Sequence, residues 1–260
     1  MIQKHFAVAA ARHSDIVKRE IEMNYVSCLG LTLSVIALLG FGASGLGYRL
    51  GLWEYKTGIS VVKYSGFLSL AAVVVCLVGL ALWYWEVVSQ GRNYAIIGLV
   101  IGGSVVGMML KWKHNLDSVP YIHDITTDTE NPPLFVAVLP LRAGSENSAE
   151  YGGPELAKQQ KVGYPDLKPV SVGSPPDAVF PRALQAAKDM GWKIVASDPK
   201  SLRIEATDTT LWFGFKDDVV VRLTPSPTGS RIDVRSVSRV GKSDVGTNAR
   251  RINAYLARMK

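Results

Sequence analysis

Three long apolar runs in the first 110 residues constrain this chain more than any other feature. They cover residues 28–47, 64–85 and 94–110. Between Asn24 and Leu110 the only charged side chains are Arg49, Glu54, Lys56, Lys63, Glu86 and Arg92. Crossing the hydrocarbon core takes at least about 17 apolar residues, and each run reaches that length. Trp83, Tyr84 and Trp85 close the second run, and Lys111, Trp112 and Lys113 follow the third, as interfacial residues do. The pattern predicts three transmembrane helices. A cleaved signal peptide does not fit, because the first run is too long for one and starts too far from Met1. No ionisable residue lies deep in a run, which argues against a transporter or channel.

Gly98, Gly102, Gly103 and Gly107 give the third run two overlapping small-xxx-small spacings. Such spacings let helix backbones approach closely, within the bundle or in self-association. Orientation follows less directly. Lys4, Arg12, Lys18, Arg19 and Arg92 would lie on one side of the membrane, and Arg49, Lys56, Lys63, Lys111 and Lys113 on the other. The count ties. The first span usually dominates the positive-inside rule, and its leader has four of these residues against three in the following loop. The expectation is an N-terminus in the cytoplasm, an inner-membrane anchor, and a large domain on the periplasmic side.

The net charge of +7 is spread over both parts of the chain, about +3 up to Leu110 and +4 beyond it. Neither part has the dense basic stripe of a nucleic-acid binder, so nucleic acid is not an expected partner. The bilayer itself is one. Cys28 and Cys76 both lie in apolar runs, which removes a disulfide framework or a cysteine–zinc site from the rest.

The chain divides into a leader (1–27), a membrane domain (28–113), an extended linker region (114–168) and a soluble domain (169–260). Residues 143–169 show no period and read as a long loop, with one short strand expected at 134–138. From residue 169 the signals are clear. A strand at 170–172 precedes a helix with Ser174 at its cap, prolines in its first turn and Gly191 at its end. Four strands follow, at 192–196, 202–207, 219–223 and 231–238. A last helix is expected near Ser243 and Asp244, with Val245, Ala249, Ile252, Leu256 and Met259 as its apolar stripe. The order β-α-β-β-β-β-α, with alternating strands, predicts an α+β fold. It is an antiparallel sheet with helices on one face, similar in order to a helix-grip sandwich.

The densest polar stretch is 235–251. Arg235 and Arg239 share a strand face with Asp233, and Asp244, Asn248 and Arg251 form a stripe beside the apolar one. With Ser238 they make a candidate contact for an anionic ligand or a partner, since Arg suits bidentate recognition. The same residues suit an internal salt-bridge network with Asp244, Glu205 or Asp233. A second candidate is His123 with Asp124 and Asp128, as a catalytic set. It has no visible nucleophile and no metal-ligand spacing, and an extended segment hydrogen-bonded across the domain fits it equally. Asp217 and Asp218 read as a solvated turn. Trp212, Phe213 and Phe215 form an aromatic cluster. No cofactor and no metal site is indicated.

The stretches 123–128, 187–192 (with Met190, Gly191 and Trp192), 204–207, 215–222 and 235–251 carry a resemblance. They make the C-terminal part, about 140 residues from near Tyr121, similar to the domain-of-unknown-function 1499 family. The resemblance implies a membrane-linked or exported domain of bacteria and plastids, and it transfers no catalytic residue. Two functions follow as expectations. The favoured one is an envelope protein that binds a partner or anionic ligand without catalysis, through Arg235, Ser238, Arg239, Asp244, Asn248 and Arg251. The alternative is an envelope hydrolase or transferase using His123 with Asp124 or Asp128.

Overall fold

The computed structural model describes residues 24–260. The leader residues Lys4, Arg12, Lys18 and Arg19 lie outside the described residues. Two compact units meet at Trp112 and Lys113.

The first unit contains α1 (Tyr25–Arg49), α2 (Tyr55–Tyr84) and α3 (Arg92–Asp117). All three are long and apolar enough to cross a membrane. The chain is a membrane protein. Lys56 and Lys63, expected in the first loop, fall inside α2, because the helix starts nine residues before its apolar run. Apart from Val62 and Val105, the buried positions are small, among them Gly30, Ser34 and Ala37 in α1, Ser69, Ala72 and Cys76 in α2, and Gly98 and Gly102 in α3. Leu29, Leu39, Phe67 and Leu70 point outward. Lipid offers large side chains as good a solvent as a protein interior does, so association rests on close backbones and interhelical hydrogen bonds. Both are present. Ser34 Oγ donates to the Gly98 carbonyl at 2.8 Å, and Ser69 Oγ to that of Gly102 at 2.8 Å. Asn24 caps α1 through Ser27 N–H and donates to the Gly79 carbonyl at 3.0 Å.

The two glycine spacings of α3 separate here. A methyl group on Gly98 would fall 2.5 Å from Cys76 Sγ, and one on Gly102 3.0 Å from Ser34 Oγ. Gly103 and Gly107 meet nothing within 4 Å.

The second unit has β1 (Asp124–Thr126), a short 3-10 turn (Leu139–Arg142), α4 (Gly153–Gly163) and β2 (Val170–Val172). These are followed by α5 (Pro176–Asp189), β3 (Lys193–Asp198), β4 (Arg203–Thr209), β5 (Lys216–Ser226), β6 (Gly229–Ser238) and α6 (Thr247–Ala257). From β2 onward this is the expected β-α-β-β-β-β-α order. All strands pair antiparallel, in the order β1-β6-β5-β4-β3, and β2 shares β6's outer edge with β1. Helices α5 and α6 cover one face. Ile204, Ala206, Val219, Val221, Ile232 and Val234 meet them there, and Trp192 stacks on Tyr255 at 5.1 Å. Gly191 ends α5 at φ +77°, the left-handed conformation expected at that position. The cap of α5 is Pro175 rather than Ser174.

The expected extended linker at 114–168 is divided: residues 114–117 end α3, and the chain from β1 onward is woven into the domain. β1 pairs with residues 235–237 of β6. The expected long loop contains α4. Gln160 from α4 donates to the Thr126 carbonyl at 2.7 Å and accepts from its N–H at 2.9 Å, so one side-chain amide stands in for a strand partner. Residues 127–152 form a strap across the sheet face opposite the helices. The expected strand at 134–138 lies in this strap and has no strand partner.

Gly98→Leu should destabilise the purified full chain in detergent by about 1–3 kcal/mol through overpacking. Gly103→Leu should change its thermal midpoint by no more than an ordinary surface substitution does, about 0.5 kcal/mol. Equal losses in the two variants would refute the packing described here.

Candidate functional site

The polar corner read from the sequence is built on both faces of the sheet. Successive residues of a strand point to opposite faces, so β5 and β6 send alternate charges in opposite directions. Asp217 and Ser238 face the helices, while Asp218, Asp233, Arg235 and Arg239 face the strap.

On the strap face, Arg235 is fully buried. Its Nε and Nη2 donate to both oxygens of Asp124 at 2.9 and 2.8 Å. The same guanidinium donates to the carbonyls of Pro133 at 3.3 Å and Ala149 at 2.8 Å. Those carbonyls belong to the outgoing and returning legs of the strap, so one side chain holds both. The rings of Phe135 and Tyr151 lie against it, 5.2 and 5.3 Å from its carbon. Glu205 on β4, also fully buried, accepts the N–H groups of Val136 and Val138 at 3.0 Å and pairs with Arg203. Asp218 accepts from Arg142 of the strap at 2.7 Å, from Arg239 at 2.9 and 2.8 Å, and from Thr207 at 2.7 Å. Arg239 also donates to the Leu141 carbonyl at 2.6 Å.

On the helix face, Arg251 from α6 bonds Asp208 and Asp217, each at 2.6 Å, and also Asn248 and Ser236. Asn248 donates to the His123 carbonyl at 2.8 Å and to Ser238 Oγ at 3.1 Å. Asp244 accepts the N–H groups of Gly246 and Asn248 at 2.8 Å each. The last helix begins at Thr247 with left-handed Gly246 at its cap, rather than the expected Ser243 or Asp244, and Val245 before it is also left-handed. Asp217 and Asp218 are therefore not a solvated turn. They are buried and neutralised by arginines on opposite faces of the sheet.

All six expected contact residues thus have internal partners. The 123–128 and 235–251 stretches do meet, through β1–β6 pairing and the Arg235–Asp124 ion pair, and each closes on the other. The three candidates for a catalytic set are divided among separate duties. His123 Nδ1 lies 3.4 Å from the Lys242 carbonyl. Asp124 binds Arg235. Asp128 binds Arg222 and Arg231 at 3.1 and 2.8 Å and caps the N–H groups of Glu130 and Asn131. Among the described residues no group of His, Cys, Asp and Glu is arranged to hold a metal. An open depression of about 530 Å³ lies beside α4, lined by Glu130, Pro132, Tyr151, Lys158, Lys161 and Val162 among others; none of the expected site residues lines it.

Sequence reasoning missed Arg142, and it missed what the strap presents. Phe135, Val138 and Arg142 turn inward. Leu134, Val136, Leu139 and Leu141 point outward, 70, 50, 46 and 51% exposed. An isolated exposed leucine is ordinary; these four stand close together on one short segment. A continuous apolar run at 134–139 was the available signal, and it reads equally as a buried strand.

Burial pushes the carboxyl of Asp218 up, but hydrogen bonds from Arg239, Thr207 and Arg142 outweigh it and leave it below its ordinary value. Burial raises Asp124 against the pull of Arg235, and raises Asp244 against its two N–H donors.

Residues 124–259, just over half of the chain, match a family described as protein of unknown function (DUF1499). The chain belongs to that family. The match runs from the first residue of β1 to the residue before the last, so it includes the strap. No curated protein matches the chain.

Arg235→Ala should cost about 3–5 kcal/mol in urea unfolding, because it leaves Asp124 buried and unpaired. Arg235→Met with Asp124→Leu should recover much of that loss; a double variant no more stable than the single one would refute the pairing. Asp218 stabilises the fold fully above its unfolded value, and this contribution fades as pH falls below about 4. Asp124 and Asp244 act in the opposite sense, costing stability as pH rises through their raised values. The acid loss of the urea midpoint should therefore be shallower in Asp218→Asn than in the parent.

Proposed function

We propose that this protein is a membrane-anchored docking protein whose C-terminal domain binds through the strap rather than through the arginine corner. The observation that carries the reading is the division of labour on the strap face. Buried charges of the sheet hold the strap's backbone, and the strap turns four large aliphatic side chains outward. Of the six corner residues, Arg235 and Arg239 hold the strap from beneath, while Ser238, Asp244, Asn248 and Arg251 fix the last helix on the other face. The geometry does not group His123 with Asp124 or Asp128 for acid–base work, so the hydrolase or transferase reading gains no support.

The domain belongs, on this proposal, on the periplasmic side of a bacterial inner membrane. Three spans put the N-terminus and the domain on opposite sides, and the positive charges of the leader favour a cytoplasmic N-terminus. The family resemblance to membrane-linked and exported domains supports the same placement.

A photo-crosslinking residue introduced at Val136 or Leu139 of the full chain should give adducts in intact cells. The same residue at Lys200, in the exposed turn between β3 and β4, should give none. Adducts no stronger at 136 and 139 than at 200 would contradict the docking reading.

A further inference from the structure

We infer that the surface the strap docks on is the lipid bilayer, with Leu134, Val136, Leu139 and Leu141 seated in an uncharged, zwitterionic headgroup region. This rests on the docking reading above and names its partner.

Three observations support a lipid surface. The first is composition. Residues 131–141 contain no charged side chain, and Pro132, Pro133 and Pro140 bring no N–H. The second is the state of the backbone, since a segment entering an apolar medium must satisfy its N–H groups within the protein. Three of the four ridge residues meet this: Val136 donates to Glu205, Leu139 to the Val136 carbonyl at 3.4 Å, and Leu141 to the Val138 carbonyl at 2.9 Å, and Val138 between them also donates to Glu205. The third is chain length. Only residues 118–123 separate the end of α3 from β1, and six residues span at most about 21 Å. A domain of about 150 residues is roughly 38 Å across. The tether is shorter than the domain is wide, so the bilayer stays within the domain's reach.

Charge narrows the choice of lipid. The strap's one basic side chain, Arg142, is buried against Asp218, so the strap offers no exposed cation to draw in an anionic lipid.

The test uses the full chain carrying Cys28→Ser and Cys76→Ala. It is labelled with an environment-sensitive fluorophore at Leu139→Cys, at Val136→Cys, or at Lys200→Cys as control. Each protein is reconstituted into phosphatidylcholine vesicles containing lipids spin-labelled near the headgroup. Ridge side chains reaching about 5–10 Å into the headgroup boundary should give blue-shifted probes at 136 and 139, quenched at least about twofold more than the probe at 200. Replacing half of the lipid with phosphatidylglycerol at low salt should not raise that quenching. Using two ridge positions guards against one label disturbing the strap. Equal quenching at all three positions overturns the inference. If quenching is equal while 136 and 139 still crosslink to protein in cells, the lipid inference fails and the docking reading stands. If both signals are absent, both fail.

Discussion

The buried ion pair between Arg235 and Asp124 is the interaction on which the rest of the domain depends. An arginine withdrawn from water at the middle of a strand is tolerable only if its charge and its donors are met. Asp124 meets the charge, which fixes β1 against β6. The carbonyls of Pro133 and Ala149 meet the remaining donors, which fixes where the chain leaves the sheet and where it returns. A segment with little regular structure therefore has a defined course. Glu205 and Asp218 repeat the logic at the strap's far end and at its return, each a buried carboxylate satisfied by the strap and by neighbouring arginines.

The sheet thus works differently on its two sides. One side buries Val, Ile and Ala under two helices, and its single charged group, around Arg251, fixes the last helix to the strand ends. The other side carries buried charges beside a small apolar cluster of Phe135, Val138, Val220 and Val237, and these charges hold the strap's backbone. Phe135 and Val138 fill that cluster, and Leu134, Val136, Leu139 and Leu141 face outward. Fold stability and presentation of the ridge then rest on the same residues.

Much of the architecture was legible in the sequence because its signals are periodic. Three apolar runs gave the spans, alternation gave the strands from 193 to 238, and Gly191 marked a helix end at the φ expected of it. The strap was not legible, for a physical reason. Residues 134–139 are all apolar, and the acceptor of the Val136 and Val138 N–H groups is the carboxylate of Glu205 rather than another strand, which no local pattern announces. Helix α4 escaped because Leu156, Ala157 and Gln160 make a weak stripe, and its key contact is a polar side chain bonded to Thr126. The arginine corner was visible as a cluster, but composition does not tell an internal network from a ligand site. The alternation of faces along β5 and β6 separates its members, and that depends on register.

Amide hydrogen exchange of the full chain, with and without Arg235→Met, tests the central claim most directly. If Arg235 holds both legs of the strap, the variant loses protection at the Val136 and Val138 N–H groups, although Glu205, their acceptor, is untouched. The β5–β6 ladder stays protected. Undiminished protection at Val136 and Val138 would show that the strap is held without Arg235 and would contradict the account.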